Sequence, residues 1–304
     1  MTTRTKDNPN YRGSKYEMIS VDDALERILQ ECSKIAKQTE RVDIYESEGR
    51  IISDPVTVPW DMPPFPASLK DGYCLHMNES DETENKTYNV DGTILAGQNA
   101  FLCPPEIASS SVYKIMTGAP VPPSCNTVVM IEYTELLKKS EETKKEEKIK
   151  ILKNVRVGQD IRKVGSDAKM GEILLKENSL IGPAEIGLLA SCGYREINVW
   201  KAPTVAVLST GDEVIDPTPN ASLKAGQIFD ANRGMLIGLL KSLKVNVIDG
   251  GIVKDEYSDV STRIEGLLSK ADILISSGGV SMGDVDLLKR CVFSPFYLLY
   301  FTVC

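Results

Sequence analysis

A chain of 304 residues that is 42% hydrophobic and 26% charged has the composition of a globular protein, and it is long enough for about two or three domains. A formal charge of −8 argues against general binding to nucleic-acid backbones, which needs clustered Lys and Arg, but it leaves room for a small anion held by local donors. The single histidine, His76, excludes multi-histidine metal sites and argues against a Ser-His-Asp triad; it reads as a half-exposed residue near a strand end. The seven cysteines include no C-x-x-C pair, so they suggest neither a disulfide framework nor a zinc site and suit a reducing, cytoplasmic setting. Catalysis in such a chain falls to carboxylates, hydroxyls, backbone amides and Mg²⁺.

In chain order, residues 1–14 are polar and read as disordered, with neither a signal-peptide core nor a membrane span. Ser20 followed by Asp23 is an N-cap signal. Val21, Leu25, Ile28, Leu29, Cys32 and Ile35 then recur at helical spacing, which predicts an amphipathic helix of about four turns. Pro55, Pro59, Pro63, Pro64 and Pro66 exclude helix and central strand over 54–66 and predict a rigid, extended domain crossing. From 70 to 161, short β-rich runs at 88–90, 112–116, 127–131 and 149–152 alternate with turn signals, the pattern of a small β-barrel or sandwich. Within it, the charged run 138–150 reads as a solvated hairpin loop.

A second helix is predicted over 182–190, with Pro183 at an early position and Gly193 just past its end. The rhythm then changes to strand 204–208, helix 230–243, strand 245–248, helix 257–269 and strand 272–275. This alternation implies right-handed βαβ units and a parallel sheet. Parallel sheets place ligands beyond the carboxyl ends of their strands. Two loops have that position: Ser209-Thr210-Gly211-Asp212-Glu213, and Ser276-Ser277-Gly278-Gly279-Val280-Ser281-Met282-Gly283-Asp284-Val285-Asp286. The second offers small residues and backbone N–H groups to an anion, and acids to a cation.

Several unusual strings stand in order along the chain. They are Pro63-Pro64-Phe65-Pro66-Ala67-Ser68-Leu69-Lys70-Asp71-Gly72-Tyr73, Thr117-Gly118-Ala119-Pro120-Val121-Pro122, Gly158-Gln159-Asp160-Ile161-Arg162, Gly165-Ser166-Asp167, the 182–190 helix, and the two loops above. Together, over about 14–289, they resemble the MoeA / gephyrin E-domain family, the molybdopterin molybdenumtransferases, in its gephyrin-like branch. The resemblance implies a multidomain α/β and β fold. Its parts are a helical and β domain (15–66 and 162–200), a β-rich insert (67–161) and a three-layer α/β molybdopterin-binding domain (201–290), incomplete here. It also implies the chemistry of inserting molybdate into adenylylated molybdopterin, with Mg²⁺ and release of AMP.

By the same resemblance, Asp71, Thr117, Asp167, Glu213 and Asp286 are catalytic; Asp255, which follows a predicted strand, is expected to join Asp286 in holding the metal. Thr210, Gly211, Ser277, Gly278, Gly279 and Ser281 cradle the cofactor. An elongated homodimer is implied, in which Asp71 and Thr117 complete the partner's site, together with a molybdopterin adenylyltransferase domain as a partner. Read without the resemblance, Asp71-Gly72 is also a hairpin turn, Asp167 a turn acid, Glu213 a helix-start acid, and Gly278-Gly279 a tight turn without ligand.

The resemblance stops after Lys289. The apolar tail 291–304 is uncharged, too short to cross a membrane and β-prone. The family's Lys-Pro-Gly-rich and Pro-Gly-Asn-Pro segments and its last β-domain do not follow. The expectation is an incomplete sheet with an open edge and poor solubility, with a scaffold protein or an inactive truncated isoform as the alternative to an enzyme.

Overall fold

The computed structural model describes residues 19–99, 103, 106–219 and 221–278. The elements run α1 (Val21–Cys32), β1 (Thr39–Asp43), β2 (Val56–Thr57), β3 (Ala67–Ser68), β4 (Gly72–Leu75), β5 (Thr87–Ile94), β6 (Ser111–Ile115), β7 (Thr127–Met130), β8 (Thr134–Lys139) and β9 (Glu146–Ile151). They continue with β10 (Ile161–Arg162), β11 (Ile173–Leu175), α2 (Pro183–Ser191), β12 (Glu196–Trp200), β13 (Thr204–Thr210), β14 (Val214–Ile215), β15 (Ile228–Phe229), α3 (Ala231–Ser242), β16 (Asn246–Val253), α4 (Tyr257–Leu268) and β17 (Ile273–Ser277). Two compact units result. Among the described residues, one comprises 55–176 with 191–193, and the other comprises 19–54, 177–190 and 194–278.

The unit built on 55–176 is a six-stranded sheet in the order β7-β4-β6-β5-β9-β8, antiparallel except for the β5–β6 pair. Its central strands read as nearly continuous apolar runs because both faces are covered. Tyr73, Leu75, Val112, Val129, Ile149 and Ile151 pack on one side, while Cys74, Tyr113, Ile115, Val128 and Ile94 pack on the other. Consecutive residues such as Tyr73 and Cys74 fall on opposite sides, as the two-residue period of a strand requires.

The charged run 138–150 is not a loop. Most of it is strand, in the β8–β9 hairpin, and only 140–145 connects the two. As the sheet edge, β8 leaves most of its side chains in water, so Lys and Glu can occupy a strand there, and Lys138 pairs with Glu147 at 2.7 Å. The proline-rich connector also contains a strand, since β2 pairs with β11. His76 lies one residue past β4 and is exposed rather than half-exposed.

In the other unit, α1 starts at a complete capping box. Ser20 Oγ accepts the Asp23 N–H at 3.0 Å, and Asp23 Oδ2 accepts the Ser20 N–H at 3.4 Å. No residue of α1 is buried, and Val21 and Leu29 are 72% and 69% exposed. β1 pairs antiparallel with β12 from Thr39↔Trp200 to Asp43↔Glu196. The predicted βαβ rhythm produces a three-stranded parallel sheet, β16-β13-β17, with β13 in the centre and buried from Val205 to Thr210. Ala206 and Leu208 of β13 cluster with Val260, Ile264 and Leu267 of α4. The alternate residues Val205, Val207 and Ser209 therefore face the opposite side.

Strand β16 is longer than its apolar run. The register passes from Val207↔Asp249 to Ser209↔Ile252, so Gly250 and Gly251 together oppose Leu208 in a bulge. Only glycine fits here. A Cβ on Gly250 would lie 2.7 Å from both the Val207 carbonyl oxygen and Leu267 Cδ1, and Gly251 has a φ of +73°.

Candidate active site

The parallel sheet brings two of the predicted loops to one edge. Strand β13 ends at Ser209 and Thr210, which are 2% and 4% exposed, and neither hydroxyl has a hydrogen-bond partner. Buried hydroxyls without partners are costly in a native fold, which makes these two groups ligand-facing candidates. Register places Ser209 directly opposite Ser277 on β17. The next residue, Gly278, has a φ of +91°, and a Cβ on it would lie 2.5 Å from the Thr210 carbonyl oxygen and 2.9 Å from Thr210 Oγ1. Gly211, with a φ of +146°, would bring a Cβ to 2.7 Å from Glu213 Oε2. Both glycines are thus demanded by backbone conformation and by close packing of the strand ends.

Thr210, Gly211, Ser277 and Gly278 come together at this edge; Gly279, Ser281 and Asp286 lie outside the described residues. Glu213 starts no helix. It precedes β14, and its carbonyl accepts the Ile228 N–H at 2.9 Å. The Asp255 N–H donates to Asp212 Oδ1 at 3.4 Å, so the loop after β16 meets the loop after β13. These carboxylates are hard oxygen donors of the kind Mg²⁺ prefers. Among the described residues, no three His, Cys, Asp or Glu side chains form a metal-binding group.

A polar cluster that sequence reasoning missed adjoins this edge. Asp230 caps α3 by accepting the Arg233 N–H at 3.1 Å, and the buried Arg233 guanidinium reaches three carboxylates. Its Nε donates to Asp230 at 2.9 Å, its Nη1 to both Asp249 oxygens at 2.6 Å, and its Nη2 to Asp216 at 2.5 Å. Burial opposes the guanidinium charge, but Asp249, Asp230 and Asp216 outweigh it and push the Arg233 pKa up. Burial likewise pushes the Asp249 carboxyl up, and the Arg233 and Gly251 hydrogen bonds reverse this, so Asp249 stays below the usual carboxylate range. One residue before Arg233, Asn232 donates from Nδ2 to Ser277 Oγ at 2.9 Å. The string Asp230-Ala231-Asn232-Arg233 showed only a helix start; its partners lie on other strands.

The remaining predicted residues belong to the 55–176 unit. Asp71 Oδ1 accepts both the Thr117 N–H at 2.7 Å and the Thr117 hydroxyl at 2.8 Å. The backbone bond, then the hydroxyl bond, hold the Asp71 carboxyl below its usual range. The Asp71-Gly72 pair is not a hairpin turn, because β4 pairs with β6 and β7, not with the preceding β3. Gly72 is required for another reason: a Cβ there would lie 1.9 Å from the Val129 carbonyl oxygen. Asp167 is gripped by Arg162 through Nε at 3.0 Å and Nη2 at 2.5 Å. The structure thus joins Asp71 to Thr117 and engages Asp167 with an arginine.

Comparison with known proteins agrees with this geometry. Residues 19–193 match the family model of the MoeA N-terminal region (domains I and II), and residues 206–296 match one described as a probable molybdopterin binding domain. Gephyrin of Dictyostelium discoideum is 34% identical over 302 residues, which cover 91% of this chain and 40% of that protein. A molybdopterin molybdenumtransferase of Haemophilus influenzae is 33% identical over 272 residues, covering 90% of this chain and 64% of its own length. The one from Nostoc sp. is 34% identical over 283 residues, covering 91% and 62%. The chain therefore spans 40% to 64% of the length of these relatives. Two crystal structures of the molybdopterin biosynthesis MoeA protein of Pyrococcus horikoshii are also similar. One has a TM-score of 0.72 at 27% identity, covering 90% of this chain and 66% of that one; the other has 0.74 at 26%, covering 86% and 67%. The multidomain α/β and β fold expected from the sequence is the fold these structures share.

Proposed function

Because the chain belongs to the MoeA family of molybdopterin molybdenumtransferases, we propose that it acts in molybdenum cofactor biosynthesis, inserting molybdate into adenylylated molybdopterin with release of AMP. The observation that carries this reading is the β13–β17 edge, where unpaired buried hydroxyls of Ser209 and Thr210 stand beside Ser277 and Gly278 inside the stretch matched to molybdopterin binding.

Splitting a phosphoanhydride with water requires neutralised charge, an oriented nucleophile and a held leaving group. The part of Asp71, whose Oδ1 accepts the Thr117 N–H and hydroxyl, is to orient water by accepting a hydrogen bond. Thr210, Gly211, Ser277, Gly278, Gly279 and Ser281 bind the substrate, and Asp167, Glu213 and Asp286 complete the acidic set. Asp255 and Asp286 would hold Mg²⁺, which when bound neutralises charge on phosphate oxygens.

The finer assignments form part of the same proposal. The functional division is 15–66 with 162–200, 67–161 and 201–290. The active form is a homodimer in which Asp71 and Thr117 serve the α/β site of the second copy, and the unburied apolar stripe of α1 is in keeping with an assembled state. The compartment is the cytoplasm, in keeping with the free thiols of Cys32, Cys74, Cys103, Cys125 and Cys192. Among the described residues, no helix is long and apolar enough to cross a membrane. The substrate is the product of a molybdopterin adenylyltransferase.

The test is AMP release from adenylylated molybdopterin with Mg²⁺ and molybdate. Asp71→Asn is expected to lower kcat by about two orders of magnitude with unchanged melting. Equal turnover by the variant would refute the role of Asp71, and no AMP release by the folded wild-type chain would refute the activity.

A further inference from the structure

Two hydroxyls and one amide share the α3 side of the sheet edge. Ser209 and Ser277 are register partners on β13 and β17, and parallel neighbours in register project to the same face. Asn232, in the first turn of α3, reaches that face and donates from Nδ2 to Ser277 Oγ at 2.9 Å. The Ser209 hydroxyl, 2% exposed, has no partner.

A serine hydroxyl has one proton and two lone pairs. With the Asn232 amide occupying a lone pair, the Ser277 proton must point away from Asn232. The proton of Ser277 is thereby turned toward a ligand, beside a second hydroxyl that is still unsatisfied. Such a pair suits a hydrogen-bond acceptor on a bound ligand. We infer that Asn232 is a positioning residue: it acts through Ser277, turning its hydroxyl proton toward an acceptor atom of the substrate. This rests on the functional reading above and adds to it a residue that neither the motifs nor the family strings pointed to.

Asn232 is suited to a clean test because it is exposed and the cap of α3 is Asp230, so replacing it leaves the helix start intact. Adenylylated molybdopterin is titrated into the full chain as wild type, Asn232→Ala, Ser277→Ala and the double variant, with melting followed in parallel. Each single change is expected to weaken binding by about 3- to 10-fold, the worth of one hydrogen bond. The double variant is expected to bind no more weakly than Ser277→Ala alone, because Asn232 has nothing left to position. Asn232→Asp is expected to weaken binding at least as much as Ser277→Ala, since a carboxylate accepts the Ser277 proton and withdraws it from the ligand.

Multiplicative losses in the double variant, or wild-type binding by Asn232→Ala or Asn232→Asp, would overturn the inference and leave the functional reading standing. Failure of the folded wild-type chain to bind the compound would overturn both.

Discussion

Glu146 shows how much one side chain can carry in the insert sheet. It accepts from Tyr73 Oη at 2.8 Å and pairs with Lys114 Nζ at 2.8 Å, where the Lys114 and Glu146 side chains are only 21% and 16% exposed. Burial alone pushes the Glu146 carboxyl up; the hydrogen bonds from Lys114 and Tyr73 and the Lys114 charge outweigh it and hold the group below its usual range. A depressed carboxylate stabilises the fold above its unfolded-state pKa, and that contribution is lost as pH falls through the folded-state value. Lys114→Met removes the paired cation from a largely buried carboxylate and is expected to cost about 2 kcal/mol at neutral pH. Denaturant melts should show the deficit shrinking as pH falls through the carboxylate range, and a deficit independent of pH would mean that packing, not charge, is responsible. Sequence reading found the apolar residues of this sheet from their runs. It did not find the Tyr73–Glu146–Lys114 set, whose members come from three separate strands.

Elements were more legible than their ends. The capping box at Ser20 and Asp23, the Pro183 helix start and the βαβ alternation are local signals, and the structure follows them. One stretch of strand escaped because local chemistry pointed elsewhere, and one strand runs further than expected. The charged β8–β9 hairpin resembled a loop because edge strands tolerate polar side chains, and β16 continues past the expected 245–248 through Asp249-Gly250-Gly251 as a bulge. Gly250→Ala is expected to destabilise the α/β unit by about 1–3 kcal/mol, since the added methyl meets the Val207 carbonyl and Leu267 at 2.7 Å. Hydrogen exchange should then rise in α4 and β16, while the 55–176 unit keeps its protection. Unchanged exchange would mean that the sheet accommodates the methyl by a backbone shift.

At the scale of the whole molecule, the chain's two tryptophans report on different units. Trp60 lies in the 55–176 unit, where a Cβ on Gly193 would approach its ring at 2.8 Å, and Trp200 lies in the other, donating from Nε1 to Asn178 at 2.9 Å. Because each unit has its own core, Trp60→Phe and Trp200→Phe variants are expected to give different denaturant midpoints by fluorescence. Coincident midpoints would show a single cooperative fold. By itself, the sequence determined the features written in local patterns: the helix caps, the two-residue period of the insert strands, the βαβ rhythm, the ordered motif strings and the loops at the strand ends. Only the tertiary structure decided which polar groups meet: Asp71 with Thr117 across 46 residues, Asn232 with Ser277 across 45, and Arg233 with Asp249 across 16. Periodicity specifies which face a side chain occupies, but a hydrogen bond needs two atoms within about 3 Å, and that depends on strand register and helix placement, which the whole packed core sets at once.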